Sequence, residues 1–177
     1  MHILYFALVM PYLNYCLEVC SNTYQTNLHP LFMLQKKALR IIHNVGYREH
    51  TNKLFSKSQE MKLCDLVQYK TSIIVFKAKK NDLPSQVQKL FHDREGGYYL
   101  RREFNLKEMY AKKVKKRQCL SVCGVKMWNT LSEEIKRSTN IHLFKKHCKT
   151  FVLSKYDGSE TENLVFIINV VNVHVKH

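Results

Sequence analysis

The residues best suited to chemistry in this chain are its cysteines and histidines. Cys119-x3-Cys123 is followed downstream by His142-x4-His147, and pairs at those spacings fit a Cys2His2 zinc site. The stretch between the pairs is longer than the roughly 12 residues of a nucleic-acid-binding finger. It also holds Trp128 and a helical apolar pattern, where a finger has little else. Buried thiols are therefore the expectation here, with zinc at Cys119, Cys123, His142 and His147 as the alternative. Cys148 lies four residues after Phe144, a core spacing, and Cys16-x3-Cys20 sits in an apolar run with no histidine nearby. Cys64 precedes Asp65, but adjacent residues on a helix point in different directions.

Carboxylate chemistry is poorly provided for. The chain has four aspartates, Asp65, Asp82, Asp93 and Asp157, and no two are near neighbours. Polymerase activity needs closely placed carboxylates to hold two metal ions. A Gly-rich phosphate loop, a Gly-x-Ser-x-Gly elbow and a His-Glu-x-x-His motif are all missing from the sequence. The expectation is a chain without catalytic residues and without a cofactor.

Positive charge is the dominant signal. Lys and Arg number 29 against 14 Asp and Glu, a formal net charge of +15, where a small soluble domain is comfortable at a magnitude of about 2–8. Such an excess points to a polyanion, nucleic acid before an acidic membrane surface. The most cationic stretch carries Arg101, Arg102, Lys107, Lys112, Lys113, Lys115, Lys116 and Arg117, interleaved with Tyr98, Tyr99, Phe104 and Tyr110. Cations that grip phosphates beside rings that stack on bases are what single-stranded nucleic-acid contact requires. The alternative is an exposed hairpin whose lysines merely solvate it.

Two helices are expected to carry further cations. In Pro30 to Gly46, Leu31, Leu34, Ala38, Ile41 and Val45 recur at steps of three and four, which predicts one buried face widened by Leu39 and Ile42. Lys36, Arg40 and His43 then share another face beside Lys37, with Asn27 as N-cap and Gly46 as a left-handed stop. In the last helix, capped by Ser138, Thr139 or Asn140, the buried stripe is Ile141, Phe144, Cys148 and Phe151, and Lys145, Lys146 and Lys149 lie opposite.

The remaining elements position these. Residues 3 to 20 are apolar nearly all round but interrupted by Pro11, Asn14 and Glu18, so a buried helix kinked at Pro11 is expected rather than a membrane span. Short helices are expected at Thr51 to Ser58 and Ser85 to Phe91. A long one runs from about Lys62 to Lys80, with Leu66, Tyr69, Ile73 and Phe76 as its stripe. A β-hairpin is expected over Glu108 to Val114 and Gln118 to Val122, then a core-anchoring helix from Gly124 to Leu131 around Trp128, the only tryptophan. After Tyr156 an acidic turn leads into the β-prone LVFIINVVNVHV, which lacks a partner strand and reads as a non-native tail.

Two blocks carry a resemblance. "LYFALVMPYLNYCLEVCSNTY" with "LHPLFMLQKKALRIIHN", and later "SVCGVKMWNTLSEEIKRSTNIHLFKK", resemble the region after the polymerase core in reverse transcriptases of non-LTR (LINE-like) retrotransposons. The family pattern is a Gly step, Leu-Trp-Asn, Leu-Pro, an Ile, a Ser and Phe-Lys-Lys; Ser132 stands where the family often has Pro. The resemblance covers about residues 3 to 156. The Tyr-x-Asp-Asp signature is absent, so what it implies is the region beyond the active site, cut away from its catalytic core.

The combined expectation is a mainly α, multi-helix single domain over residues 1–156 with a small β-hairpin, and a loose C-terminal tail over 157–177. Its expected partners are RNA or DNA and the missing upstream polymerase domain, with no small-molecule substrate and no membrane. The alternative is an interaction domain docking through its apolar first helix. The first apolar run has no basic approach and no small-residue cleavage site, as a signal peptide would, so an intracellular chain, nuclear or cytoplasmic, with reduced thiols is expected.

Overall fold

The apolar run at the N-terminus folds as helix α1: an α-turn His2–Leu4, a π-turn Tyr5–Val9 and an α-helical stretch Met10–Asn14. The π-turn lies just ahead of Pro11, which has no backbone N–H to donate, and the Met10 N–H reaches back five residues to the Tyr5 carbonyl. The computed structural model describes residues 2–15, 17, 25–94 and 104–156. These are helical with no β-sheet, the mainly α class expected from the sequence. Packing divides them into two compact units, one of residues 2–67 with 150–156, the other of 68–94 with 104–149.

The first unit is built on α2 (Gln25–Ile42), α3 (Asn52–Ser58) and the start of α4 (Leu63–Lys79). The buried face of α2 is not the expected one. Leu28, Phe32, Gln35, Lys36 and Leu39 are buried, whereas Leu34 is 61% exposed and Ile41 69%. Three distant partners select this face. Gln35 Nε2 donates to the Tyr5 hydroxyl at 3.0 Å and the Met61 carbonyl at 2.9 Å, and its Oε1 accepts the Leu63 N–H at 2.9 Å. A buried amide with its bonds made, plus Phe32 stacked on Phe55 with ring centroids 6.4 Å apart, outcompetes a purely aliphatic stripe. Helix α1 likewise departs from the expected all-round burial: Tyr5 and Leu13 are buried, but Ile3, Leu4, Phe6, Leu8 and Tyr12 are exposed.

Asn44, not Gly46, takes the left-handed position at the end of α2, with φ 52°. The Val45 N–H bonds the Arg40 carbonyl and the Asn44 N–H the Ile41 carbonyl, which satisfies two carbonyls the helix leaves open. Gln59 and Asn81 stop α3 and α4 by the same two-bond pattern.

The second unit centres on the rest of α4, α5 (Ser85–Gln88), α6 (Val114–Gln118), α7 (Leu120–Asn129), α8 (Glu133–Lys136) and α9 (Ile141–Ser154), whose last turn belongs to the first unit. Trp128 is 1% exposed, the core anchor expected of it, and Phe144 is fully buried between it and Phe76, with centroids 5.9 and 4.3 Å away. Gly124 is buried on α7, where the site of a Cβ faces Val75 of α4 and Leu120 of its own helix. Asn140 caps α9, its Oδ1 accepting the His142 N–H at 3.1 Å. Along α9, Phe144, Cys148 and Val152 are buried, while Ile141 and Phe151 are only half-buried.

The expected hairpin is not formed. Residues 107–113 run without regular structure, and 114–118 and 120–129 are helical. Leu120, Cys123 and Met127 recur at helical spacing, and Val122, Cys123, Val125 and Met127 are buried from successive turns, which no alternating strand can do. The β-pairing found among the described residues is a single antiparallel bridge between Asp93 and Leu106. Cys16 and Cys20, Tyr98, Tyr99, Arg101, Arg102 and the expected tail over 157–177 lie outside the described residues.

Candidate nucleic-acid interface

The basic segment Lys107 to Arg117 is an irregular loop over residues 107–113 that runs into helix α6, and it is fastened at both ends. At its start the α7–α8 corner grips residues 104–108. Trp128 Nε1 donates to the Phe104 carbonyl at 2.9 Å. Asn129 Oδ1 accepts the Leu106 N–H at 2.9 Å, and its Nδ2 donates to the Leu106 carbonyl and to Glu108 Oε1, both at 3.1 Å. The buried Lys136 ammonium donates to Asn105 Oδ1 at 2.8 Å and the Asn129 carbonyl at 3.3 Å. At the far end Arg117 Nε donates to the Ala111 carbonyl at 2.9 Å and Nη2 to the Lys112 carbonyl at 3.3 Å. Leu106 and Ala111 are buried, and the four residues between them are exposed.

Those bonds set the electrostatics. Lys107, Lys112, Lys113, Lys115 and Lys116 are exposed, and none forms an ion pair among the described residues. The one carboxylate within the segment, Glu108, accepts from Asn129. Arg117 differs from the lysines: half-buried, it binds the loop's own carbonyls. Five ammonium groups over ten residues, without an ion pair among the described residues, hold a potential that attracts phosphates.

The other candidate cations are placed differently. In the same unit, Lys146 and Lys149 are exposed on α9 and Lys145 is half-buried. In the first unit, Lys37 is exposed, but Lys36 is buried with its ammonium 4.7 Å from the Phe32 ring centroid. Arg40 donates twice to the Glu49 carbonyl, at 3.0 and 2.9 Å, and caps the turn after α2. His43 bonds Ser58 Oγ at 2.6 Å. Lys36, Arg40 and His43 thus serve the fold of their own unit rather than a shared basic face.

Among the described residues, no three His, Cys, Asp or Glu side chains gather as a metal site would need. Cys119 is exposed, its thiol toward the Lys115 carbonyl, while Cys123 is buried with its thiol toward the Gln118 carbonyl. His142 is exposed, and His147 Nδ1 lies 3.5 Å from Ser138 Oγ. Burial pushes the Cys123 thiol up to about 11 and Cys148 to about 12, values that keep both protonated and poorly nucleophilic at neutral pH.

Sequence reasoning missed Asn129 and Lys136, which hold the loop's base. The signal was faint: a polar residue next to a core tryptophan, and a lysine in an otherwise amphipathic turn. No helix among the described residues is long and apolar enough to cross a membrane. Compared with family models, curated proteins and solved structures, the chain matches none.

Proposed function

We propose that this chain is a non-catalytic nucleic-acid-binding module, a fragment of a retrotransposon RNA-directed DNA polymerase that positions RNA template or target DNA by its phosphates. The observation that carries the reading is the fastened loop with Lys107, Lys112, Lys113, Lys115 and Lys116 exposed and unpaired among the described residues. The retrotransposon assignment rests on the sequence resemblance alone. Lys149 on α9 is a further exposed cation of the same unit. Phosphate contact of this kind works by counterion release, so affinity falls steeply with salt. Fluorescence anisotropy of the chain with labelled RNA and duplex DNA over a salt series tests it, alongside the variant Lys112→Glu, Lys113→Glu, Lys115→Glu, Lys116→Glu. Binding that survives that reversal unchanged would place the site elsewhere.

A second reading has its own observation. Ile3, Leu4, Phe6, Leu8 and Tyr12 on α1, and Leu34 and Ile41 on α2, are exposed apolar side chains in the first unit. Surfaces of that kind favour protein docking. Docking through them is insensitive to salt, and the same titration separates the two readings.

A further inference from the structure

We infer that Tyr110 is a base-stacking residue and that the loop selects single-stranded over duplex nucleic acid. The inference rests on the nucleic-acid reading above and adds the class of strand. Between the buried anchors Leu106 and Ala111, Tyr110 stands 85% exposed, the most exposed aromatic ring among the described residues. A large ring in water with cations on both sides of it in the chain is open to a planar partner without disturbing any packing. Phe104 is already occupied: it is half-buried, and the Arg137 guanidinium lies 5.3 Å from its ring centroid. The backbone on either side of Tyr110 is held, by Asn129 at Leu106 and by Arg117 at Ala111 and Lys112. Tyr110 is followed two and three residues on by Lys112 and Lys113, the neighbours that would hold the flanking phosphates. Bases of a duplex have both faces covered by their neighbours in the stack, so this pairing of ring and cations suits a strand whose bases are unstacked.

The test is anisotropy binding of the full chain and its Tyr110→Ala and Tyr110→Phe variants to three labelled probes of equal length: an oligothymidylate, a strand of abasic sites and a duplex. Wild type should bind oligothymidylate more tightly than either other probe. Tyr110→Ala should weaken oligothymidylate binding about 5- to 150-fold, the effect of losing one base–aromatic stack, and leave the abasic strand and duplex unchanged. Tyr110→Phe, which keeps the ring, should bind like wild type. Equal loss on all three probes would make Tyr110 a support of the loop and overturn the inference, as would an oligothymidylate affinity indifferent to Tyr110→Ala. Wild type binding the three probes alike would overturn the strand preference and leave the phosphate reading standing. If wild type binds none of them, the phosphate reading itself fails and the inference goes with it.

Discussion

The side-chain amide of Asn129 pairs with the backbone of Leu106 as a neighbouring strand would, accepting its N–H at 2.9 Å and donating to its carbonyl at 3.1 Å. Removing that amide leaves both Leu106 groups without their partner beside a buried side chain. Asn129→Ala should cost about 1–3 kcal/mol in urea unfolding. It should also weaken nucleic-acid binding with the five lysines untouched, because the loop loses its fastening. A variant as stable as wild type would mean that the corner does not hold the loop.

Gln35 has the same role in the first unit, joining Tyr5, Met61 and Leu63 through a single amide that is 1% exposed. Gln35→Met keeps the volume and strands the Met61 carbonyl and the Leu63 N–H. The expected loss is about 2–6 kcal/mol, about 1–3 for each of two unsatisfied buried groups. A denaturant midpoint equal to that of wild type would show that α2 can turn its aliphatic face inward instead.

These two residues also mark where sequence reading runs out. Apolar spacing located the helices, because a three-four period is local, and it identified Trp128 as a core anchor. It chose the wrong face of α2, because the choice between Leu34/Ile41 and Leu28/Phe32/Leu39 depends on what Gln35 meets at Met61 and Leu63, 26 residues or more along the chain. The basic loop was legible as composition. Its architecture was not, since Leu106 and Asn129 are 23 residues apart. Lys36 and Arg40 looked like surface cations, but Lys36 is buried with its ammonium over the Phe32 ring one turn earlier on α2, and Arg40 is tied to the Glu49 carbonyl.

Asp65 accepts the Tyr156 hydroxyl at 2.5 Å, and burial raises its carboxyl pKa above 3.8 despite that bond and the nearby Lys62 and Lys155 ammonium groups. The folded state therefore holds the proton more tightly than the unfolded one. The stability this group contributes is full below pH 3.8 and is lost as pH rises through the raised pKa. The unfolding free energy of wild type minus that of Asp65→Asn should fall across that window and level off above it. A difference that grows with pH would mean that Lys62, Lys155 and Tyr156 stabilise the anion more than burial penalises it.

Thiol reactivity should follow exposure and pKa. Burial pushes Cys64 and Cys148 up to about 12 and Cys123 to about 11, while Cys119 is exposed. Iodoacetamide at neutral pH, followed by peptide mass mapping, should label Cys119 well before the other three, since the thiolate is the nucleophile. Labelling of Cys123 as fast as Cys119 in the native chain would contradict the packing of α7.

The salt dependence of binding tests the central claim most directly. If Lys107, Lys112, Lys113, Lys115 and Lys116 each neutralise one phosphate of a single strand, log Kobs should fall against log salt with a slope of roughly −3.5. Reversing Lys112, Lys113, Lys115 and Lys116 to Glu should abolish that binding. No binding at low salt, or binding whose affinity is flat across the series, would contradict the account and favour docking through the exposed apolar side chains of α1 and α2.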